Sequence, residues 1–297
     1  MKNNRRFVRK HERAAGLRRV SAAALITLML LSIFTLGTSA AATIPADAAP
    51  TDVYLDGREI LKDECIILDS ITYVPLRKFC NLFADCRVTW NQKTSTATVK
   101  TDDLSMTVQS GAVYITANGH YFYTVGAVRN LGGHLYVPIR PLARAFDLEL
   151  EWNAKARRVE LDTGGKSVHA VRAASYDQDD LYWLARIISA EAKGEPFVGQ
   201  IAVGNVVLNR VRSQSYPNTI YGVIFDRKHG TQFSPVALGT IYQAPTESAV
   251  IAAKICLEGY TVSDKALFFM NPRYATSNWI SKNRPYAFTI GNHDFYN

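Results

Sequence analysis

Residues 180–212 read DLYWLARIISAEAKGEPFVGQIAVGNVVLNRVR, and their reading decides the fold of the C-terminal half. At 100° per residue, Leu181, Leu184, Ala185, Ile187, Ile188 and Ala192 fall on one arc of a helix, with Arg186, Ser189 and Lys193 on the opposite arc. Glu191 does not join the polar arc. It follows Leu184 by seven residues and Ile187 by four, so it sits on the apolar face at the last turn. Gly194 predicts the stop of this helix. Glu195-Pro196 predicts the start of the next, with proline in the first turn and an acid near the positive helix end.

A carboxylate on an inward helical face loses hydration, which disfavours its charged form. A proton retained near neutral pH is what a general acid requires. Most helical glutamates are solvated and structural, and phase sets Glu191 apart from them. Glu195 has a sufficient structural reading as a helix-start acid. The second helix, from Pro196 to Arg212, is apolar nearly all round, as a central helix must be. Asn205 and Asn209 interrupt it one turn apart and are expected to tie down neighbouring loops, with contact to a ligand as the alternative.

Downstream, a short helix is expected over Thr219 to Phe225, then a loop from Asp226 to Gln243. A helix from about Pro245 to Leu257, closed by Gly259, comes next. Leu267 to Met270 and Tyr286 to Ile290 read as strands.

The ordered wording of this half resembles the SleB/CwlJ family of bacterial cell-wall hydrolases, the spore-cortex-lytic enzymes of germination and sporulation. The resemblance rests on Ala190-Glu191-Ala192-Lys193-Gly194-Glu195-Pro196, Gly199-Gln200 and Val206 to Val211. It continues through Tyr216 to Ile220, Gly222 to Phe225, Gln232-Phe233-Ser234, Asn271-Pro272 and Ile290 to His293. It implies a mainly helical domain like lysozyme and the lytic transglycosylases. It also implies cleavage of the linkage from N-acetylmuramic acid to N-acetylglucosamine, with Glu191 as general acid and base. Gln232, Phe233 and Ser234 fall where related transglycosylases carry a Gln-bearing loop over the cleft, and with Asn271 they are the candidate substrate contacts. Peptidoglycan strands are the implied partner, and no cofactor or metal is implied.

The remaining chain sets the context. Its 297 residues allow about two domains. The formal charge of +8 suggests an anionic partner until it is located. Eight of the 34 basic residues and one of the 26 acidic ones lie before residue 41, leaving 26 against 25 and a net +1. Nucleic-acid binding therefore gains no support. A basic N-terminus, an apolar run from Val20 to Gly37 and small residues at Thr38 to Ala42 predict an export signal over 1–41. The alternative is an uncleaved membrane anchor.

Between 51 and 163 the sequence repeats. Tyr73-Val74-Pro75-Leu76-Arg77 recurs 63 residues on as Tyr136-Val137-Pro138-Ile139-Arg140, and Phe83 as Phe146. Trp90-Asn91 recurs as Trp152-Asn153 with the offset reduced to 62. In each copy apolar residues at i, i+3, i+4 and i+7 predict a short helix, followed by a strand to the Trp, a polar turn and another strand. The repeat resembles the stalk domain named for the copper amine oxidase N-terminus, which implies a spacer or a wall-polysaccharide contact and no copper. The expectation is an α+β chain: a strand-rich, two-repeat stalk over 51–163, a linker over 164–176, and the helical hydrolase domain over 177–297. Export would permit a disulfide among Cys65, Cys80 and Cys86, but spacing does not choose the pair.

Ordinary glycosidases need a second carboxylate. Asp226 and Asp294 lie in expected loops without a matching frame. A one-acid mechanism suits that absence; the resemblance to lytic transglycosylases implies that the muramoyl 6-hydroxyl attacks and leaves a 1,6-anhydro end, with simple lysozyme-like hydrolysis as the close variant. Two rivals remain open. One is a metal-dependent N-acetylmuramoyl-L-alanine amidase using His229, His293 and one carboxylate as zinc ligands. The other is a non-catalytic wall-binding or spore scaffold.

Overall fold

In the computed structural model the repeated Tyr-Val-Pro strands, Ile71–Pro75 (β3) and His134–Pro138 (β10), lie side by side. They pair antiparallel with Tyr73 opposite Pro138, Val74 opposite Val137 and Pro75 opposite Tyr136. That register maps onto itself when the two copies are exchanged, so the repeats meet about a local two-fold axis at Val74 and Val137. The residues described are 42–297, apart from Ala84, His229, Thr231 and Thr276; the expected export segment lies outside them.

Each repeated strand runs into a short helix, Leu76–Cys80 (α1) or Ile139–Ala145 (α2). Phe83 stacks on its counterpart Phe146 across the pseudo-axis, ring centroids 4.5 Å apart, and Phe79 meets both rings edge-on. A hairpin follows in each copy, Arg87–Asn91 (β4) with Thr96–Lys100 (β5), and Glu149–Asn153 (β11) with Arg158–Asp162 (β12). The turns share a mechanism. Asn91 Oδ1 accepts from the Lys93 backbone N–H and Asn153 Oδ1 from that of Ala156, both at 3.0 Å, and each turn closes on a left-handed residue, Ser95 or Arg157.

After the shared local structure the copies part. The first hairpin opens a five-stranded antiparallel meander completed by Ser105–Gln109 (β6), Tyr114–Ala117 (β7) and His120–Tyr123 (β8). The second joins a seven-stranded sheet with Ala49–Leu55 (β1), Arg58–Leu68 (β2) and Arg129–Leu131 (β9), in the order β11-β12-β1-β2-β3-β10-β9. β1 and β12 are parallel, and the other pairs are antiparallel. One core, including Val53, Phe79, Met106, Ile115 and Leu142, lies among these elements. All four cysteines are thiols; Cys80 and Cys86 are close enough to shift one another's thiol in opposite directions, whereas Cys65 is buried in β2.

Residues 164–176 have no regular structure yet are pinned. The Ala170 N–H donates to Asp103, the Asn118 side chain donates to the Val171 carbonyl, and Val168 and Val171 pack on the strand-rich core. Asp177 then caps helix Gln178–Ala192 (α3) by accepting from the N–H groups of Asp179 and Asp180 at 3.0 Å. Helix Phe197–Arg212 (α4) is buried without interruption from Gly199 to Arg210. It is packed by α3 and by Glu247–Leu257 (α7), with Ile220–Phe225 (α5) and Ser234–Ala237 (α6) around them. A Cβ at Gly204 would come within 2.7 Å of Cys256 Sγ and 2.8 Å of Ile188 Cδ1, so the three helices meet where α4 has no side chain. The chain closes with helix Trp279–Asn283 (α8) and the sheet Phe268–Met270 (β13), His293–Tyr296 (β15), Tyr286–Ile290 (β14), with β15 central.

The chain is α+β, strand-rich in its N-terminal part and helical in its C-terminal part. Three local expectations change. The loop expected over 226–243 contains α6, because Ser234-Pro235 starts a helical turn that needs no proline N–H. β15 and α8 were not legible as elements. Ser189, placed on the polar arc, is buried because its hydroxyl accepts the first free N–H near α7, that of Thr246, at 3.1 Å.

The two parts touch through the β7–β8 hairpin. Tyr114 and Tyr123 approach Phe197, and Tyr123 lies 4.6 Å from Tyr260, centroid to centroid. Beside these rings, Glu258 accepts from Tyr176 Oη at 2.6 Å and meets His120 Nδ1 at 2.7 Å. Its carbonyl accepts from Arg144 at 2.9 Å.

Candidate active site

α3 delivers Glu191 at its last turn, half-buried, on the face that packs toward α4. Burial pushes its carboxyl up to about 7, and the positive charge of Arg210 partly opposes that rise. Glu191 is therefore largely protonated at mildly acidic pH and divided between its two forms near neutrality.

Arg210, the last buried residue of α4, is 5% exposed. Its Nε donates to the Leu267 carbonyl at 2.8 Å. Its guanidinium lies 5.1 Å from the ring centroids of Tyr216 and Phe233 and 5.5 Å from that of Phe268. Burial disfavours its charge, while Tyr216, Asp226 and Glu191 favour it. Nη1 is buried without a partner among the described residues. The buried positive charge of Arg210 thus acts on a proton-holding acid and favours its carboxylate form. Sequence reasoning missed Arg210. The available signal was a cation on the buried stretch of an otherwise apolar helix, the same signal that singled out Asn205 and Asn209.

Those two amides hold loops. Asn205 donates to the Tyr260 carbonyl and accepts from the Val262 N–H, while Asn209 donates to the carbonyls of Ser263 and Ala266. They fasten the segment that leads into β13, and hence Leu267 and Phe268, against α4.

Of the expected contacts, Phe233 is 2% exposed and supports Arg210 from within the core, so its ring does not face solvent. Gln232 beside it is half-buried and donates to the Gly230 carbonyl at 3.2 Å; Ser234 is exposed at the start of α6. Asn271 follows β13 and uses its Oδ1 to accept from the Arg273 N–H at 3.0 Å, shaping a turn. Arg210 is the joint at which the Phe233 loop and the β13 segment meet.

Glu195 is a clamp rather than only a helix-start acid. Its carboxylate accepts from the Asn292 backbone N–H at 2.8 Å and from Asn292 Nδ2 at 3.1 Å. Gly291 makes this approach with φ of 60°, and a Cβ there would lie 2.7 Å from Pro196 Cδ. Asp226 accepts from the Lys228 N–H at 2.9 Å and contributes to the field at Arg210; Asp294 accepts from Thr289 Oγ1. His293 is buried against Phe269 with Nδ1 unpartnered among the described residues, and burial lowers its pKa. His229 lies outside the described residues. Among those described, no three His, Cys, Asp or Glu side chains form a set that could hold a metal ion.

Two family models match the chain: Cell Wall Hydrolase over residues 194–296, and Copper amine oxidase N-terminal domain over residues 54–161. Glu191 lies three residues before the first of these matches. The chain is 43% identical over 120 residues to the spore cortex-lytic enzyme of Bacillus cereus, covering 40% of this chain and 45% of that protein. It is 31% identical over 133 residues to the cell wall hydrolase CwlJ of Bacillus subtilis, covering 42% of this chain and 88% of that one. Among solved structures, the catalytic domain of the germination-specific lytic transglycosylase SleB from Bacillus anthracis is 42% identical, with a TM-score of 0.38. That match covers 41% of this chain and 98% of the other. The chain belongs to the cell wall hydrolase family, and carries ahead of that domain a region matching the copper amine oxidase N-terminal domain. It spans less than half the length of the spore cortex-lytic enzyme of B. cereus.

Proposed function

We propose that the protein is an exported peptidoglycan glycosidase that cuts the bond from N-acetylmuramic acid to N-acetylglucosamine, acting as a lytic transglycosylase on cell wall or spore cortex. The observation that carries this reading is the placement of Glu191, half-buried at the last turn of α3, where burial raises its carboxyl to about 7 against the opposing charge of Arg210. Similarity to spore cortex-lytic enzymes supports the substrate class.

In this mechanism the Glu191 hydroxyl gives its proton to the glycosidic oxygen as the bond from that oxygen to C1 breaks. Arg210 stabilises the resulting carboxylate. The carboxylate then takes the proton of the muramoyl 6-hydroxyl as that oxygen bonds to C1. The product carries a 1,6-anhydro end, no water is consumed, and Glu191 is again protonated. Gln232, Ser234 and Asn271 are the proposed sugar contacts, with Phe233 supporting the floor. The proposed division of labour places substrate chemistry in 177–297 and wall contact in 51–163.

Digesting purified peptidoglycan and identifying the new ends by mass spectrometry tests the reading. Anhydromuramic ends support it. Reducing muramic ends would mean water attack, with Asp226 the first carboxylate to examine. New free amino groups would mean an amidase, and intact polymer a scaffold.

A further inference from the structure

The two copies of the repeat serve as controls for one another, and one of their differences lies beside the repeated Trp. In the first copy the exposed Trp90 donates its indole N–H to Gln92 Oε1 at 2.8 Å, and Arg77 donates to the Val88 carbonyl at 3.3 Å. Both polar groups are satisfied within the copy. In the second copy Trp152 is 41% exposed, and neither its indole N–H nor the guanidinium of Arg140 has a protein partner among the described residues. Ala154 stands where the first copy has Gln92, and Arg157 where it has Ser95.

A cavity of about 750 Å³ lies between the start of α2, the β2–β3 turn and the β11–β12 hairpin, and Ala154 and Arg157 are in its lining. Its walls are mostly apolar, from Ile139, Leu150, Val159 and the paired rings of Tyr123 and Tyr260. Its charged lining is entirely basic: Arg140, Arg144 and Arg157, with no acidic residue. Arg144 is committed to Glu258 and stacks on Phe122. Arg140 and Arg157 have no ion-pair partner among the described residues. Arg157 also holds a left-handed backbone, φ 53°, that glycine would adopt without strain. An exposed indole face, an apolar wall and two uncommitted guanidiniums suit one ligand chemistry: an amphipathic unit with an apolar face and carboxylates. The volume falls within the range of small-ligand sites, about 300–1,000 Å³.

We propose that this cavity recognises a peptide-bearing muramoyl unit of peptidoglycan, with a sugar face on Trp152 and peptide carboxylates at Arg140 and Arg157. The identity of the polymer rests on the wall-hydrolase reading above; the cavity and its charge do not. The site is separate from Glu191, and it includes Tyr260 from the helical part, so the strand-rich region does not build it alone.

The test is titration of the full-length protein with a disaccharide-tetrapeptide and with the same disaccharide lacking peptide. Trp152→Ala, Arg140→Ala and Arg157→Gly each weaken binding of the peptide-bearing probe by about tenfold, and Trp90→Ala leaves it unchanged. The peptide-free probe is insensitive to Arg140→Ala, Arg157→Gly and Trp90→Ala, and is weakened only by Trp152→Ala, which removes the sugar contact. Arg157→Gly suits the local backbone, so it keeps the test valid should Trp152→Ala misfold. Wild-type binding by Arg157→Gly and Arg140→Ala overturns the inference, as does equal sensitivity of the peptide-free probe to those two arginine substitutions. Cleavage of peptide-free glycan strands, followed in parallel, stays at the wild-type rate in all four variants. Variant-sensitive binding without any cleavage would remove the enzymatic reading and leave this site standing.

Discussion

Glu191 is proposed to carry the chemistry, and its environment makes that role testable twice. Glu191→Gln keeps the shape but supplies no proton, so cleavage falls by about 10²–10⁴-fold while the fold survives. In the wild type, kcat/KM declines above about pH 7 as the carboxyl loses its proton. The same shift affects stability. The folded value near 7 exceeds the ordinary 4.5, so the native state holds a proton that the unfolded chain has released. That contribution is complete below about pH 4.5 and is lost as pH rises through about 7. Thermal or urea unfolding across this window shows Glu191→Gln gaining on the wild type as pH rises, by at most about 3 kcal/mol. Glu195→Gln behaves differently. It loses an acceptor for Asn292, costs about 1–2 kcal/mol of stability and leaves the pH profile in place. A chelator alters neither variant; loss of cleavage on chelation alone would move the chemistry to a metal. Glu191 was legible because helical phase alone put a carboxylate on an apolar face. Arg210 was not, since its partners come from Tyr216, Phe233 and Phe268, far apart in the chain.

At the scale of elements, α4 is fixed by what it lacks. Gly204→Ala would drive a methyl against Cys256 and Ile188, and chemical denaturation should register a loss of about 1–3 kcal/mol. In the strand-rich part, Cys80 and Cys86 are already adjacent, so oxidation joins them in preference to Cys65. Peptide mapping after oxidation should find that one bridge, and recovery of a Cys65 pairing would contradict the structure. The long helices were readable because each buries a continuous face with its own start and stop signals. The short α6 and α8 were not, because elements this short leave no period to detect.

Across the whole molecule, the segment expected as a linker is anchored, and the two parts share a tyrosine-lined contact with Glu258 at its polar centre. His120 presents both ring nitrogens to acceptors, Glu258 and the Arg172 carbonyl. Removing His120 leaves a nearly buried carboxylate short of a partner, so His120→Ala costs about 3 kcal/mol. Calorimetry would register this as a lowered Tm. A chain beginning near Ser175 retains Glu191 and Arg210 and still cleaves soluble glycan, but unfolds at lower temperature because Phe197 and Tyr260 lose their tyrosine neighbours. A truncated chain as stable as the full protein would show that this contact contributes nothing.

The sequence by itself determined what is local and periodic: the two copies of strand, helix and hairpin, the buried central helix, and the inward phase of Glu191. Each depends on residues within a turn or two of one another, where spacing alone sets geometry. Only the tertiary structure decided which sheet each repeated hairpin joins, because β4–β5 and β11–β12 share their turn mechanism but find different edge partners, β6 for one and β1 for the other. It also decided that Arg210 lies within the electrostatic reach of Glu191, that Glu195 holds Asn292 across 97 residues, and that the second copy lines a basic cavity. Those outcomes depend on long-range packing and burial, which no local spacing encodes.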